Sequence, residues 1–167
     1  DNGFPVEVAV APGDTQVNVT AQVIDAAGNP SAVANDNQGV DTQVSASIDL
    51  SPIDIGGDNV INQAESSGSV TLSGTVGGDV KVGDTVTLTL GGNTIATATV
   101  VDLGNGVLGF STTVNASVLA GAGASSIIAS VTASDAAGNS ITVTDTESYG
   151  VDTQISATID LNPIEVG

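Results

Sequence analysis

The sequence predicts an all-β fold, a sandwich of two mainly antiparallel sheets with about seven short strands per unit. Three observations carry this. Apolar residues alternate with polar ones at a period of two, not 3.6. The alternating runs are short, recur about every 10–15 residues and are separated by Gly, Asn and Asp clusters. Thr and Ser fill the outward positions, as suits a sheet with one wet face.

The strands follow in order. Val44, Ala46, Ile48 and Leu50 alternate with polar neighbours and make the first. Val70, Leu72 and Val76 make the second, and Val86, Leu88 and Leu90 the third, closed by Gly91-Gly92-Asn93. Ile95 to Val101 is expected as the fourth, ending in Gly104-Asn105-Gly106, a strong hairpin signal. Leu108, Phe110, Thr112 and Val114 make the fifth, Ile127, Ala129, Val131 and Ala133 the sixth, and Ile141 to Glu147 the seventh. Helical turns are expected only near Asn62–Glu65 and Asn115–Ala120. Strands of this number and spacing predict an immunoglobulin-like Greek-key β-sandwich. Chain direction then sorts the loops between two poles. The second-to-third and sixth-to-seventh connections fall at the pole where the chain enters. The first-to-second connection falls at the pole where it leaves.

The chain also repeats itself. The run Val40–Asp54 returns as Val151–Glu165, a shift of 111 positions, and Asp25-Ala26-Ala27-Gly28-Asn29 returns as Asp135–Asn139, a shift of 110. A period that long is a domain and not a solenoid turn. Residues 1–40 are expected to be the C-terminal part of a preceding repeat, with its last three strands. Residues 41–151 are a complete repeat, and 152–167 the first strand of a following one. Such flanks would be ordered by stacking on their neighbours, including end-to-end contact between molecules. Methionine is absent, so the natural start is expected elsewhere.

Composition narrows the function classes. Nineteen acidic residues face one base, Lys81, with no His and no Cys. Phosphate binding needs Lys and Arg, so nucleic acid and anionic membranes are poor partners. Catalysis by nucleophile and base has no Cys or His to use. A two-carboxylate glycosidase would want aromatic sugar platforms, but the aromatics are only Phe4, Phe110 and Tyr149. An enzyme is therefore not expected. So many carboxylates cannot be paired within the chain. Either solvent and salt screen them, as on a halophilic surface, or bound cations neutralise them.

The carboxylates gather at both poles. Read as a 12-residue calcium loop, the segment 54–65 offers Asp54 at position 1, Asp58 at 5, the Val60 carbonyl at 7, Asn62 at 9 and Glu65 at 12. Hard oxygen donors at this spacing suit Ca2+. Gly56 at position 3 and Asn59 at position 6 depart from the usual pattern, and an acidic, solvated loop would fit the same residues. Asp135 opens an Asp-x-x-Gly-Asn turn that could be an ordinary hairpin. Yet the topology brings it beside linker residue Asp41, with Asp79 and Asp84 at the same end. At the opposite pole the 54–65 loop should approach linker residue Asp152. Carboxylates are thus expected wherever two repeats meet, bridged by Ca2+.

These residues resemble a family. The Val-Asp-Thr linkers, the Asp58–Glu65 loop, Gly83-Asp84-Thr85-Val86-Thr87-Leu88 and the Asp-Ala-Ala-Gly-Asn turns look like bacterial immunoglobulin-like extender repeats. Such repeats belong to giant repeats-in-toxin adhesins, secreted by type I systems of Gram-negative bacteria. The resemblance spans the whole repeat and both flanks. It implies a Ca2+-stiffened stalk at the extracellular cell surface, holding an adhesive tip away from the cell, as in biofilm adhesion. It would assign Asp41, Asp152, Asp25, Asp135, Asp58, Asn62 and Glu65 to calcium. The glycine-rich nonapeptide repeats and the ice-binding motifs of some members are absent. A surface-layer or biofilm-matrix fibre protein and a Ca2+-dependent carbohydrate-binding module are the competing readings.

Overall fold

A computed structural model describes residues 6–164. Phe4 and the last residue of the repeated run, Glu165, lie outside the described residues.

Residues 46–148 form a sandwich of two four-stranded sheets. Strands β3 (Ala46–Leu50), β5 (Ser69–Gly78), β9 (Val107–Asn115) and β8 (Val101–Gly104) make one sheet, in the order β3-β5-β9-β8. Strands β11 (Ser140–Ser148), β10 (Ser126–Ser134), β6 (Thr85–Leu90) and β7 (Asn93–Thr99) make the other, in the order β11-β10-β6-β7. All these pairings are antiparallel. The chain crosses between sheets after β5, after β7 and again after β9, as in an immunoglobulin-like Greek-key sandwich.

Alternation decides which side chains meet. Val70, Leu72 and Val76 of β5 and Phe110 and Val114 of β9 turn inward. They face Val86, Leu88 and Leu90 of β6 and Ile127, Ala129, Val131 and Ala133 of β10. Phe110 needs room: its ring lies where a Cβ on Gly74 would stand. The described residues contain no buried polar side-chain atom lacking a partner. No helix among them is long and apolar enough to cross a membrane.

The fourth expected strand, Ile95–Val101, proves to be parts of two. Val100, fully buried, breaks it: its N–H donates to the Asp84 carbonyl at 2.8 Å and its carbonyl accepts from Gly83 N–H at 2.9 Å. With Val100 tied to the loop before β6, the chain steps from the β6–β7 sheet to the β9 sheet and continues as β8. The Gly104-Asn105-Gly106 turn then joins β8 to β9, with Asn105 at φ 55° and Gly106 at φ 78°, the left-handed pair such a two-residue turn requires.

The expected helical turns fall at α1 (Ala116–Gly121) and at a 3-10 turn, Glu65–Ser67. Tyr149 fastens α1. Its hydroxyl lies 3.0 Å from both the Leu119 and Ala124 carbonyls, and burial pushes its pKa up.

Two short pairings lie outside the sandwich. Strands β1 (Gln16–Ala21) and β2 (Ala34–Gly39) form an antiparallel hairpin, and no strand precedes them among the described residues. Strands β4 (Val60–Asn62) and β12 (Gly150–Asp152) pair in parallel. Residues 153–164 carry no strand. Among the described residues β1 and β2 pair only with each other.

Candidate metal centre

The 54–65 loop is a chain of local turns, each closed by one of its own polar side chains. Asp54 Oδ1 accepts from Gly57 N–H at 2.8 Å, and Asp58 Oδ1 from Val60 N–H at 3.1 Å. Asn62 and Glu65 form a reciprocal cap. Asn62 Oδ1 accepts from the backbone N–H of Ala64 and Glu65 at 2.9 and 3.0 Å, while Glu65 Oε2 accepts from Asn62 N–H at 3.1 Å. The other oxygen of Glu65, Oε1, rests against Gly56, in the space a Cβ there would fill. Gly56 also sits at φ 70°. Glycine at loop position 3 thus makes way for the carboxylate at position 12.

Asp54 and Asp58 line a cavity of about 460 Å3 with Asn59 and Ile53. Asn62 lines another of about 450 Å3, with Gln63, Ala64 and linker residues Asp152 to Ile155. The register of β4 with β12 sets Val60 opposite Gly150, Ile61 opposite Val151, and Asn62 opposite Asp152. Asn59 secures this pairing from the loop side. Its carbonyl accepts from Gly150 N–H at 2.9 Å and its Nδ2 donates to the Ser148 carbonyl at 3.1 Å. Asn59 adopts φ 60° to do so, a conformation Asn tolerates better than most residues. Gly150 lets β12 approach, since a Cβ there would stand 3.0 Å from Val60.

At the entry pole, Asn139 is the organising residue. Its Nδ2 donates to Asp135 Oδ2 at 2.7 Å and to the Asp41 carbonyl at 3.1 Å. Its backbone N–H donates to Asp135 Oδ1 at 2.9 Å. The side-chain amide, with the backbone N–H acting the same way, holds the Asp135 carboxyl below the usual carboxylate value. Asp41 Oδ1 accepts from Gln43 N–H at 3.1 Å. The Asp25 turn is built alike. Asn29 donates to it from side chain and backbone, and its carboxyl is lowered for the same reason. Nearby, Asp79 accepts from Ser45 N–H at 2.8 Å and Asp84 from Lys81 N–H at 2.8 Å. Lys81 Nζ donates to the Ser134 carbonyl at 2.6 Å, beside Asp135.

Among the described residues no three acidic side chains gather within reach of one metal. The donors offered at each joint are nonetheless hard oxygens from carboxylates, Asn side chains and backbone carbonyls. That donor chemistry fits Ca2+, whose shell of six to eight oxygens is commonly completed by carbonyls and water. Sequence reasoning gave no site role to Asn139, Asn59 or Asp145. For Asn139 a signal was present: Asn closes the Asp-Ala-Ala-Gly-Asn turn in both copies.

Fold and loops together define an immunoglobulin-like β-sandwich with carboxylates at both poles. No protein-family model matches the sequence, and no curated protein does. Solved structures do. The chain is 36 % identical to a Ca2+-stabilized adhesin that helps an Antarctic bacterium reach out and bind ice, with a TM-score of 0.60 over 87 % of this chain and 34 % of that one. It is 38 % identical to a structure from a 1.5-MDa bacterial ice-binding adhesin, studied for retention on the host cell surface, with a TM-score of 0.59 over 84 % of this chain and 43 % of that one. It covers 100 % of a bacterial immunoglobulin-like domain from the M. primoryensis ice-binding adhesin, at 39 % identity over 66 % of its own length and a TM-score of 0.55. The chain thus spans between a third and a half of the first two. It belongs to the bacterial immunoglobulin-like extender repeats of adhesins.

Proposed function

We propose that this chain is a stalk segment of a bacterial cell-surface adhesin, stiffened by Ca2+ at its joints, and that it has no catalytic role. The observation that carries this reading is the parallel pairing of β12 with β4, which sets Asp152 opposite Asn62. The strand leaving the sandwich and the acidic loop are one piece, so a cation held by the loop also fixes the direction of the next repeat. Asp54, Asp58, the Val60 carbonyl, Asn62, Glu65 and Asp152 would hold Ca2+ at the exit pole. Asp41 and Asp135 would hold it at the entry pole, and Asp25 in the preceding repeat. Bound Ca2+ supplies charge neutralisation and removes bending freedom.

Residues 1–40 act as part of a preceding repeat, 41–151 as a complete one, and 152–167 as the start of the next. The partners are neighbouring repeats, and end-to-end contact between molecules belongs to the same reading. The setting is extracellular, on a Gram-negative cell.

A ligand that binds only the folded state adds RT ln(1 + [Ca2+]/Kd), about 1.4 kcal/mol at ten times Kd. Extracellular modules bind near 10⁻⁴–10⁻³ M. Thermal melts in EDTA, in about 10 mM Ca2+ and in Mg2+ test the reading, the level being chosen above that range. A Ca2+-selective rise in midpoint is expected. Equal midpoints in all three would remove the Ca2+ mechanism.

A further inference from the structure

We infer that the outer face of the β11-β10-β6-β7 sheet is a lateral docking surface for the same face of a second copy of this chain. Threonine covers it in rows. Thr144, Ser130, Thr87 and Thr97 are register partners across the four strands. Thr146, Ile128, Thr89 and Thr94 form the next row. Thr142 with Thr132, and Thr85 with Thr99, belong to a third. Their strand neighbours Val86, Leu88, Ala129 and Val131 are buried, so alternation turns these rows outward. Ten of these twelve positions are Thr, with Ser130 and Ile128 the exceptions. The outer face of the other sheet differs: there Asp49 stands opposite Thr75, Thr75 opposite Gly109, and Gly109 opposite Val101.

Charge sets this face apart and selects its occupant. The chain carries nineteen acidic residues and one base, a formal net charge of −18. Within the four strands only Asp145 and Glu147 are charged, and their register partners are the buried Ala129 and Ile127. Both therefore stand on the opposite side of the sheet from the threonine rows. Two copies that meet by a carboxylate-bearing surface repel each other. Meeting by this face, they bring together hydroxyls, methyl groups and Ile128, which is 41 % exposed. Like surface on like surface also obeys two-fold symmetry, so the pairing closes.

The size of the patch sets the strength. Four strands about 4.8 Å apart and three rows about 6.7 Å apart cover roughly 400 Å2 per copy. Two such faces bury about 800 Å2 in all, below the ~1,000 Å2 of a stable association. One repeat against one repeat is therefore a weak contact. In a stalk each further repeat adds a tethered contact, and tethered contacts multiply; this step alone rests on the stalk reading. Carboxylates elsewhere on the two copies still repel, and salt screens that repulsion beyond about 8 Å at physiological ionic strength. Added salt should thus strengthen the contact, the reverse of an interface held by ion pairs.

The test is sedimentation and amide NMR of the full chain, up to about 1 mM so that a weak contact is populated, at low and at high KCl. All samples contain EDTA, which separates the outcome from the Ca2+ reading. The mean mass is expected to rise toward that of a dimer with concentration, more so in high KCl. Amide shifts that move with concentration should lie in β10, β6 and β7. Ser130→Asp with Thr97→Asp sets carboxylates on the face and should weaken association at least about tenfold. Thr71→Asp with Ser111→Asp, at exposed positions on the outer face of the other sheet, should leave it unchanged. A chain that stays monomeric at both salt levels, or that is weakened equally by the two pairs, overturns the proposal. So do concentration-dependent shifts confined to other elements. Shifts in β6 and β10 seen only on adding cellohexaose also overturn it and make the face a sugar surface. Should the Ser130 variant not fold, the shift map of the unaltered chain decides.

Discussion

Asn139 donates its side-chain amide to the carbonyl of Asp41, 98 positions earlier in the chain, at 3.1 Å. The same amide donates to Asp135 at 2.7 Å. One neutral side chain therefore ties the turn between β10 and β11 to the linker by which the chain enters the sandwich. Asn139→Ala should release both partners. The Asp135 carboxyl should then titrate closer to the usual carboxylate value, while Asp25, still held by Asn29, should not move. Carboxyl-carbon NMR across an acid titration reads both groups in one sample.

The direction of the pH effect follows. A carboxyl lowered in the folded state favours folding above its ordinary value of about 3.8, and that contribution is lost as pH falls through the lower folded value. The entry joint is accordingly expected to be unchanged from neutral pH down to about pH 5 and to loosen only in stronger acid, as pH falls below the ordinary carboxylate value. Small-angle scattering against pH should show extension changing only there. A change centred above pH 5 would remove Asp135 as its cause.

Asp145→Ala should destabilise the sandwich by about 1–3 kcal/mol, because the N–H of buried Leu50 loses its acceptor. Asp145→Asn, which keeps an acceptor oxygen, should lose less. Urea denaturation midpoints at neutral pH separate the two.

Tyr149→Phe should cost about 1–3 kcal/mol by stranding a buried carbonyl. Only one hydroxyl proton is shared between Leu119 and Ala124, so one carbonyl at a time can be served. The loss should be local, with α1 amides exchanging faster than those of β10.

Gly74→Ala should cost about 1–3 kcal/mol by overpacking, since its Cβ would meet the Phe110 ring and the Asp49 carbonyl. Gly39→Ala meets open space and should change stability by less than about 0.5 kcal/mol. Equal effects at the two positions would mean that the Phe110 contact is not tight.

Long strands were legible in the sequence because a half-buried strand must alternate, and β5, β6, β9 and β10 do. Where the pattern misled, a single tertiary contact had overruled it. Val100 continues the alternation of Ile95–Val101, yet its backbone is bonded to Gly83 and Asp84, a pairing with no local signature. The β4–β12 ladder was illegible for another reason: strands of three residues have no period to read. Of the candidate ligands, chain direction sorts Asp135 and Asp152 to opposite poles. It could not foretell that the carboxylates would first satisfy their own turns.

The parallel ladder has a consequence for a chain under traction. β12 leaves the sandwich alongside β4, and Gly150, Val151 and Asp152 are matched in order with Val60, Ile61 and Asn62. Ladder hydrogen bonds run across the strands. A pull directed along β12 thus strains the rungs together, in shear, instead of peeling them off singly from one end. The first element to feel drag would be the one best arranged to share it, before any tension reached Asp145 and the seam between β11 and β3.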